Sequence, residues 1–203
     1  MLRAENIEDL ENACELVKKG MRLTVVQKIT GVNIKLLRKL WHELRSDAPS
    51  RGLIKHSVLG AISSYADASN IAGFLAIYKN ITKKRGLSNY FEVDSKILLD
   101  ALRDFELICK THLDINTAYF AVRDVGAGVV TMINCQCCRA AYVYKYEHRM
   151  GNEYTKKCPF CKTMPVIKNV NVPNINRQNI APNISYPALR SGVCKSQVDQ
   201  RKP

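Results

Sequence analysis

Four cysteines carry the first chemistry legible in this chain: Cys135-x2-Cys138, nineteen intervening residues, then Cys158-x2-Cys161. A two-residue spacer lets both thiolates of a pair reach one metal ion while backbone amides in the turn hydrogen-bond to the sulfurs. Two such turns complete a tetrahedral four-sulfur zinc site, one ion per chain. A closed site of this kind is structural. It leaves no open coordination position for water, which argues against catalysis by the metal. Cys137 complicates the ligand set, because adjacent residues rarely both point at one ion. The symmetric set uses Cys135 and Cys138 and leaves Cys137 free; the alternative is built on Cys137 and Cys138. His148 reads as a polar loop histidine rather than a replacement ligand.

Other cysteine chemistries fit less well. Cys158-Pro159-Phe160-Cys161 looks like a glutaredoxin-type redox turn, but that turn opens a helix, and Pro165 follows too soon to leave room for one. A zinc deaminase needs a histidine followed two residues later by glutamate, and no histidine here is so placed. A secreted disulfide framework is disfavoured as well. The start, Met1-Leu2-Arg3-Ala4-Glu5, is charged and has no apolar core for a signal peptide. Eight cysteines crowded mostly into one segment suit a reducing cytoplasm and a metal.

Charge marks the same region. Residues 1–133 carry 19 basic and 15 acidic side chains, whereas residues 134–203 carry 12 basic and 3 acidic, so the last third holds +9 of the net +13. A compact basic module implies an anionic partner, and nucleic acid is the commonest one in the cytoplasm. A solubilising surface is the plainer reading. An anionic membrane is disfavoured, since no basic amphipathic helix is evident there. No apolar run approaches the roughly 18 residues needed to cross a membrane. At 203 residues the chain can bury one core and append a small module.

The elements that must position these groups are mainly α. Ile7, Leu10, Cys14, Val17 and Met21 recur at helical spacing and mark one face of a first helix. Thr24 begins a short second helix that Gly31 stops with a positive φ. Asn33 then caps a third, with Ile34, Leu37, Leu40, Trp41 and Leu44 apolar and Lys35, Arg38, Lys39 and His42 on the other side. This is a helix-turn-helix-like segment near residues 23–45, and its basic second helix suits a major groove. A solvated or partner-facing surface is the alternative for Lys35, Arg38 and Lys39. Asp47–Gly52 reads as a loop, residues 57–82 as one or two apolar helices, and Asp94–Lys110 as a helix with Ile97, Leu98, Ala101, Leu102, Phe105 and Ile108 inward. Ile115–Val125 is a shorter helix.

From Val129 the texture changes to short strands, Val129–Ile133 and Ala140–Tyr146, in which Tyr142, Tyr144 and Tyr146 alternate onto one face. Arg139, Lys145 and Arg149 stand nearby, with Lys156, Lys157 and Lys162 beside the second cysteine pair. Aromatic and basic residues together suit phosphate and base contacts; the alternative is that the tyrosines pack a small core. Beyond Pro165 the chain is rich in Asn, Pro and Ser and reads as a basic, largely extended or disordered tail. The expected organisation is a helical body over 1–128, a zinc-ribbon-like module over 129–165 and the tail over 166–203.

The helical two-thirds, the motif Ile34-Lys-Leu-Leu-Arg-Lys-Leu-Trp-His-Glu-Leu-Arg45 with Ala48-Pro49-Ser50-Arg51-Gly52, and Asn134-Cys-Gln-Cys-Cys138 with Cys158-Pro-Phe-Cys161 together resemble the FlhC family of bacterial transcriptional activators. The resemblance covers about residues 5–165. It implies a non-enzymatic subunit with structural zinc on Cys135, Cys138, Cys158 and Cys161. It also implies pairing with an FlhD-like partner, promoter DNA binding and recruitment of RNA polymerase at flagellar promoters; the family also includes activators of conjugative elements. Two rivals are a zinc-stabilised protein–protein adaptor and a zinc enzyme acting on nucleic acid, for which only Glu147, His148 and Glu153 lie near the cysteines.

Overall fold

The computed structural model describes residues 4–49, 57–145 and 153–165. Helix α1 (Ala4–Lys18) is followed by α2 (Leu23–Thr30) and α3 (Ile34–Leu44). A 3-10 turn (Val58–Ala61) leads into α4 (Tyr65–Lys84), α5 (Ser95–Cys109) and α6 (Ile115–Gly126). A hairpin of β1 (Thr131–Asn134) and β2 (Ala141–Tyr144) and a one-turn α7 (Glu153–Lys156) complete the order. The architecture is mainly α, with the four cysteines clustered at its C-terminal side. The expected tail, Arg149, Tyr146, His148 and the Arg51-Gly52 end of the first loop lie outside the described residues.

Helices α2 and α3 form the expected helix-turn-helix-like segment, packed on α1. Gly31 adopts φ 71 and donates its N–H to Gln27 O, closing α2. Asn33 Oδ1 accepts from Lys35 N at 2.8 Å and opens α3. Leu37 and Trp41 are buried against Leu16, Val17, Met21, Val25 and Val26. Arg45 then fastens α3 to α1. Its guanidinium lies 4.9 Å from the Trp41 ring and donates to Lys18 O at 2.8 Å, one of the carbonyls that a helix end leaves unpaired. Trp41 Nε1 donates to Asp47 O at 2.7 Å. The Arg45 guanidinium also donates to both carboxylate oxygens of Asp47, at 2.7 and 2.9 Å; Arg45→Ala is expected to lower stability by roughly 1–2 kcal/mol, from the bond to Lys18 O and the cation–π contact, with the exposed Asp47 pair adding little. A urea midpoint unchanged from the parent protein would contradict this.

Helix α4 is the spine. It packs against α5 and α6 on one side and against β2 and α7 on the other, while α1 joins the body through α5. Phe74, Leu75, Tyr78, Leu98, Leu102 and Phe105 are buried between α4 and α5. Tyr78 Oη donates to Glu92 O at 2.5 Å and accepts from Asp94 N at 3.2 Å, which holds the connection before α5. Burial pushes the Tyr78 hydroxyl up to about 12, so it stays protonated. β1 and β2 are antiparallel, with Thr131 opposite Tyr144 and Asn134 opposite Ala141. The described residues to Pro165 belong to one compact unit.

Two sequence expectations are corrected. On α1 the buried stripe is Ala13, Leu16 and Val17, continued by Met21 just beyond the helix; Ile7, Leu10 and Cys14 instead line an open apolar furrow with Glu11, Glu15 and Lys18. The helical period holds, but Ala13 and Leu16 are the residues turned to the other helices. On α5 the inward stripe ends at Phe105. Ile108 is 69% exposed, because the helix closes just beyond it at Lys110, which takes the left-handed conformation (φ 51).

Candidate metal centre and basic surfaces

The hairpin carries the first cysteine pair at its tip, and the second pair follows α7. Each pair is a turn of the same form. In the first, Arg139 N donates to Cys135 O at 2.9 Å and Cys135 N to Ala140 O at 2.9 Å. In the second, Lys162 N donates to Cys158 O at 2.8 Å and Cys158 N to Thr163 O at 3.0 Å. Arg139 (φ 62) and Lys162 (φ 59) hold the left-handed position directly after the second cysteine of each turn. Amides aim at the sulfurs as a knuckle requires: those of Phe160 and Cys161 at Cys158, that of Ala140 at Cys138 and that of Thr163 at Cys161.

The two turns face each other. Cys135 Sγ lies 3.4 Å from Cys161 Sγ, Cys138 Sγ lies 3.5 Å from Cys158 Sγ, and all four sulfurs fall within 4.8 Å of one another. Sulfurs at the corners of a tetrahedron with metal–sulfur bonds of about 2.3 Å would stand about 3.8 Å apart. The donor set therefore fits one tetrahedral ion. Cys137 is exposed, and its sulfur is not one of the four. The protein environment splits the thiols. The Thr163 hydroxyl, 3.2 Å from Cys161 Sγ, brings Cys161 down to about 6, whereas desolvation pushes the buried Cys158 up to about 12. A bound cation would ionise all four. Thr163 escapes sequence reasoning; its only signal is its place two residues after Cys161, where Ala140 stands after Cys138.

A small apolar cluster seals the site against α4. Ala72, Tyr142, Cys135 and Cys158 are buried together, bordered by Ile133, Tyr144 and Cys161. Tyr142 and Tyr144 thus pack the cysteine cluster, as the core reading of the aromatic alternation expects, and do not form a base-stacking surface. Burial, with the charge of Cys158, Cys135 and the neighbouring groups, pushes the Tyr142 hydroxyl well above the usual tyrosine range. A different pair, Tyr65 and Tyr154, meets edge to face at 5.1 Å, and Lys162 Nζ lies 5.5 Å from the Tyr65 ring. After Cys161 the backbone turns at Lys162 and no helix follows among the described residues, so the Cys158–Cys161 turn is not the start of a redox helix.

The basic residues stand in two places. Lys35, Arg38 and Lys39 are exposed on α3, and none of the three forms an ion pair with another described residue. Arg139, Lys156 and Lys162 are exposed, and Lys145 and Lys157 half-exposed, around the hairpin, α7 and the second turn. Helix α3 packs on α1 and α2, whereas the hairpin and α7 pack on α4, so the two groups belong to different parts of the fold.

A family model described as "Flagellar transcriptional activator (FlhC)" matches residues 3–170. The flagellar transcriptional regulator FlhC of Gallionella capsiferriformans (strain ES-2) is 28% identical over 156 residues, covering 76% of this chain and 83% of that protein. Its counterpart from Pectobacterium carotovorum is 23% identical over 163 residues, covering 78% of this chain and 80% of that protein.

Proposed function

From the premise that this chain belongs to the FlhC family of flagellar transcriptional activators, we propose that it acts in the cytoplasm as the DNA-binding, zinc-bearing subunit of a heteromeric activator. The activator role follows from the family, and the relatives are named as transcriptional regulators. The finer reading has the subunit pair with an FlhD-like protein, bind promoter DNA and recruit RNA polymerase, with one structural zinc on Cys135, Cys138, Cys158 and Cys161. Flagellar promoters follow from the relatives' names, and conjugative-transfer promoters are the alternative target.

The observation that carries the DNA reading is α3: a capped helix behind a glycine turn, buried on one side by Leu37 and Trp41 and presenting Lys35, Arg38 and Lys39 unpaired on the other. The N-terminal half of such a second helix is the part that reaches base edges. Arg139, Lys145, Lys156, Lys157 and Lys162, with Arg149 outside the described residues, are the phosphate-contacting set. Assembly is supported by uncovered apolar surface: the furrow of Ile7, Leu10 and Cys14 on α1, and Leu107, 60% exposed, beside Ile108 on α5.

The two basic groups make different predictions. Replacing Arg139, Lys145, Lys156 and Lys157 by alanine is expected to weaken binding to all sequences and to flatten the plot of log affinity against log salt by roughly 0.9 for each phosphate no longer neutralised. Lys35→Ala with Arg38→Ala is expected instead to reduce discrimination between promoter and random DNA, by about 1–3 kcal/mol per base contact. Fluorescence anisotropy over a salt series, with the partner present, measures both. An unchanged salt slope in the first variant, with its metal retained, would move the phosphate-contacting surface elsewhere.

A further inference from the structure

We propose that Leu36 is a specificity-determining residue, an apolar contact for the 5-methyl group of a thymine in the DNA major groove. The inference rests on the DNA reading of α3 given above. The apolar residues of that helix divide by what they touch. Leu37 and Trp41 are buried in the core, and Ile34 and Leu40 pack at its border. Leu36 stands off that face. It is 41% exposed, it is the third residue of the helix, and it lies beside Lys35 and one turn before Lys39, both exposed. Leu44 is also exposed, but it ends the helix.

Charge favours a polyanion as the occupant of this surface. Residues 22–42 carry five Lys and Arg side chains and no Asp or Glu, and four of the five, Lys28, Lys35, Arg38 and Lys39, are exposed. A surface of one sign attracts phosphate and holds the helix against the duplex. In a helix-turn-helix it is the N-terminal part of the second helix that meets base edges, and Leu36 lies there. Its side chain has no donor or acceptor to offer. The major-groove edges of guanine, adenine and cytosine present donors and acceptors, whereas thymine adds a methyl group. That methyl is the partner which a leucine can bury at a gain, and the neighbouring Lys35 and Lys39 are free to pair with acceptors or phosphates around it.

The test uses the full chain with its partner subunit and a duplex selected by that complex from a random library. Each thymine of the protected site is replaced in turn by uracil, which removes the methyl group and leaves the base pair intact. For the parent protein, one replacement is expected to weaken binding about fourfold, which is what burying one methyl-sized group is worth. Leu36→Ala should bind the thymine and uracil duplexes equally, both at about the parent's affinity for uracil. Alanine favours the helix, so the variant should stay folded. Leu44→Ala should keep the parent's preference. A parent indifferent to every uracil would overturn the proposal, as would a Leu36→Ala variant that keeps the full preference. So would a Leu36→Ala variant that no longer assembles with the partner subunit, since Leu36 would then belong to a protein interface. Lys35→Ala with Arg38→Ala separates the two levels. If that pair still reduces discrimination, only the role of Leu36 falls; if it leaves discrimination unchanged, the DNA reading of α3 falls as well.

Discussion

Cys158→Ser is expected to abolish stoichiometric zinc binding and to unfold the cysteine cluster. Cys158 is fully buried, it faces Cys138 across the site at 3.5 Å, and its loss leaves three sulfurs and a buried hydroxyl around the ion. Structural zinc sites contribute about 10–16 kcal/mol of apparent binding free energy in peptides that fold on the metal. Among the described residues, 131–161 contain two short strands and one helical turn, so they have little apolar core of their own to replace that contribution. The remaining helices keep theirs, Leu16 to Trp41 on one side and Phe74 to Phe105 on the other. Metal content by mass spectrometry is expected to fall to background, with most helical circular dichroism retained. Cys137→Ser should keep its zinc. A Cys137 variant that loses zinc while Cys135→Ser keeps it would refute this ligand set.

Local chemistry is legible in the sequence where one residue type decides the conformation. Gly31 and Asn33 fix the turn between α2 and α3, because a positive φ and a side-chain cap are properties of the residues themselves. The cysteine spacing fixes both knuckles for the same reason. What periodicity cannot supply is the neighbour. A stripe at Ile7, Leu10 and Cys14 is apolar and helical, yet whether it is covered depends on where α2, α3 and α5 pack, and they pack on Ala13, Leu16 and Val17. The tyrosine alternation likewise implies a shared face without its direction, which packing against α4 decides. Nothing in the one-dimensional pattern shows that Asp124, within the Ile115–Gly126 helix, is fully buried.

That carboxylate bears the second large effect. Asp124 Oδ2 accepts from Val58 N at 2.7 Å, and Oδ1 accepts from Arg123 Nε at 2.8 Å and Nη2 at 2.6 Å. Its main-chain oxygen accepts from Val129 N at 2.8 Å. One residue thus joins α6, the 3-10 turn before α4 and the lead into β1, the strand that ends just before Cys135. Asp124→Ala would leave Val58 N–H buried without its acceptor and Arg123 without its counter-charge, while the main-chain bond to Val129 survives. Breaking a buried pair from one side costs about 3–5 kcal/mol; the lower end applies here because the Arg123 side chain is 32% exposed and can turn to water. At roughly 2–4 °C per kcal/mol for a chain of this size, the melting temperature should fall by about 6–12 °C. Asp124→Asn keeps an acceptor for Val58 and loses only the charge, so it should fall between the two. Zinc affinity of the folded variants should match the parent, since no sulfur ligand moves with the carboxylate. A melting temperature within about a degree of the parent for Asp124→Ala would show that the buried carboxylate is no more than tolerated there, and that the hairpin is held by its packing on α4 alone.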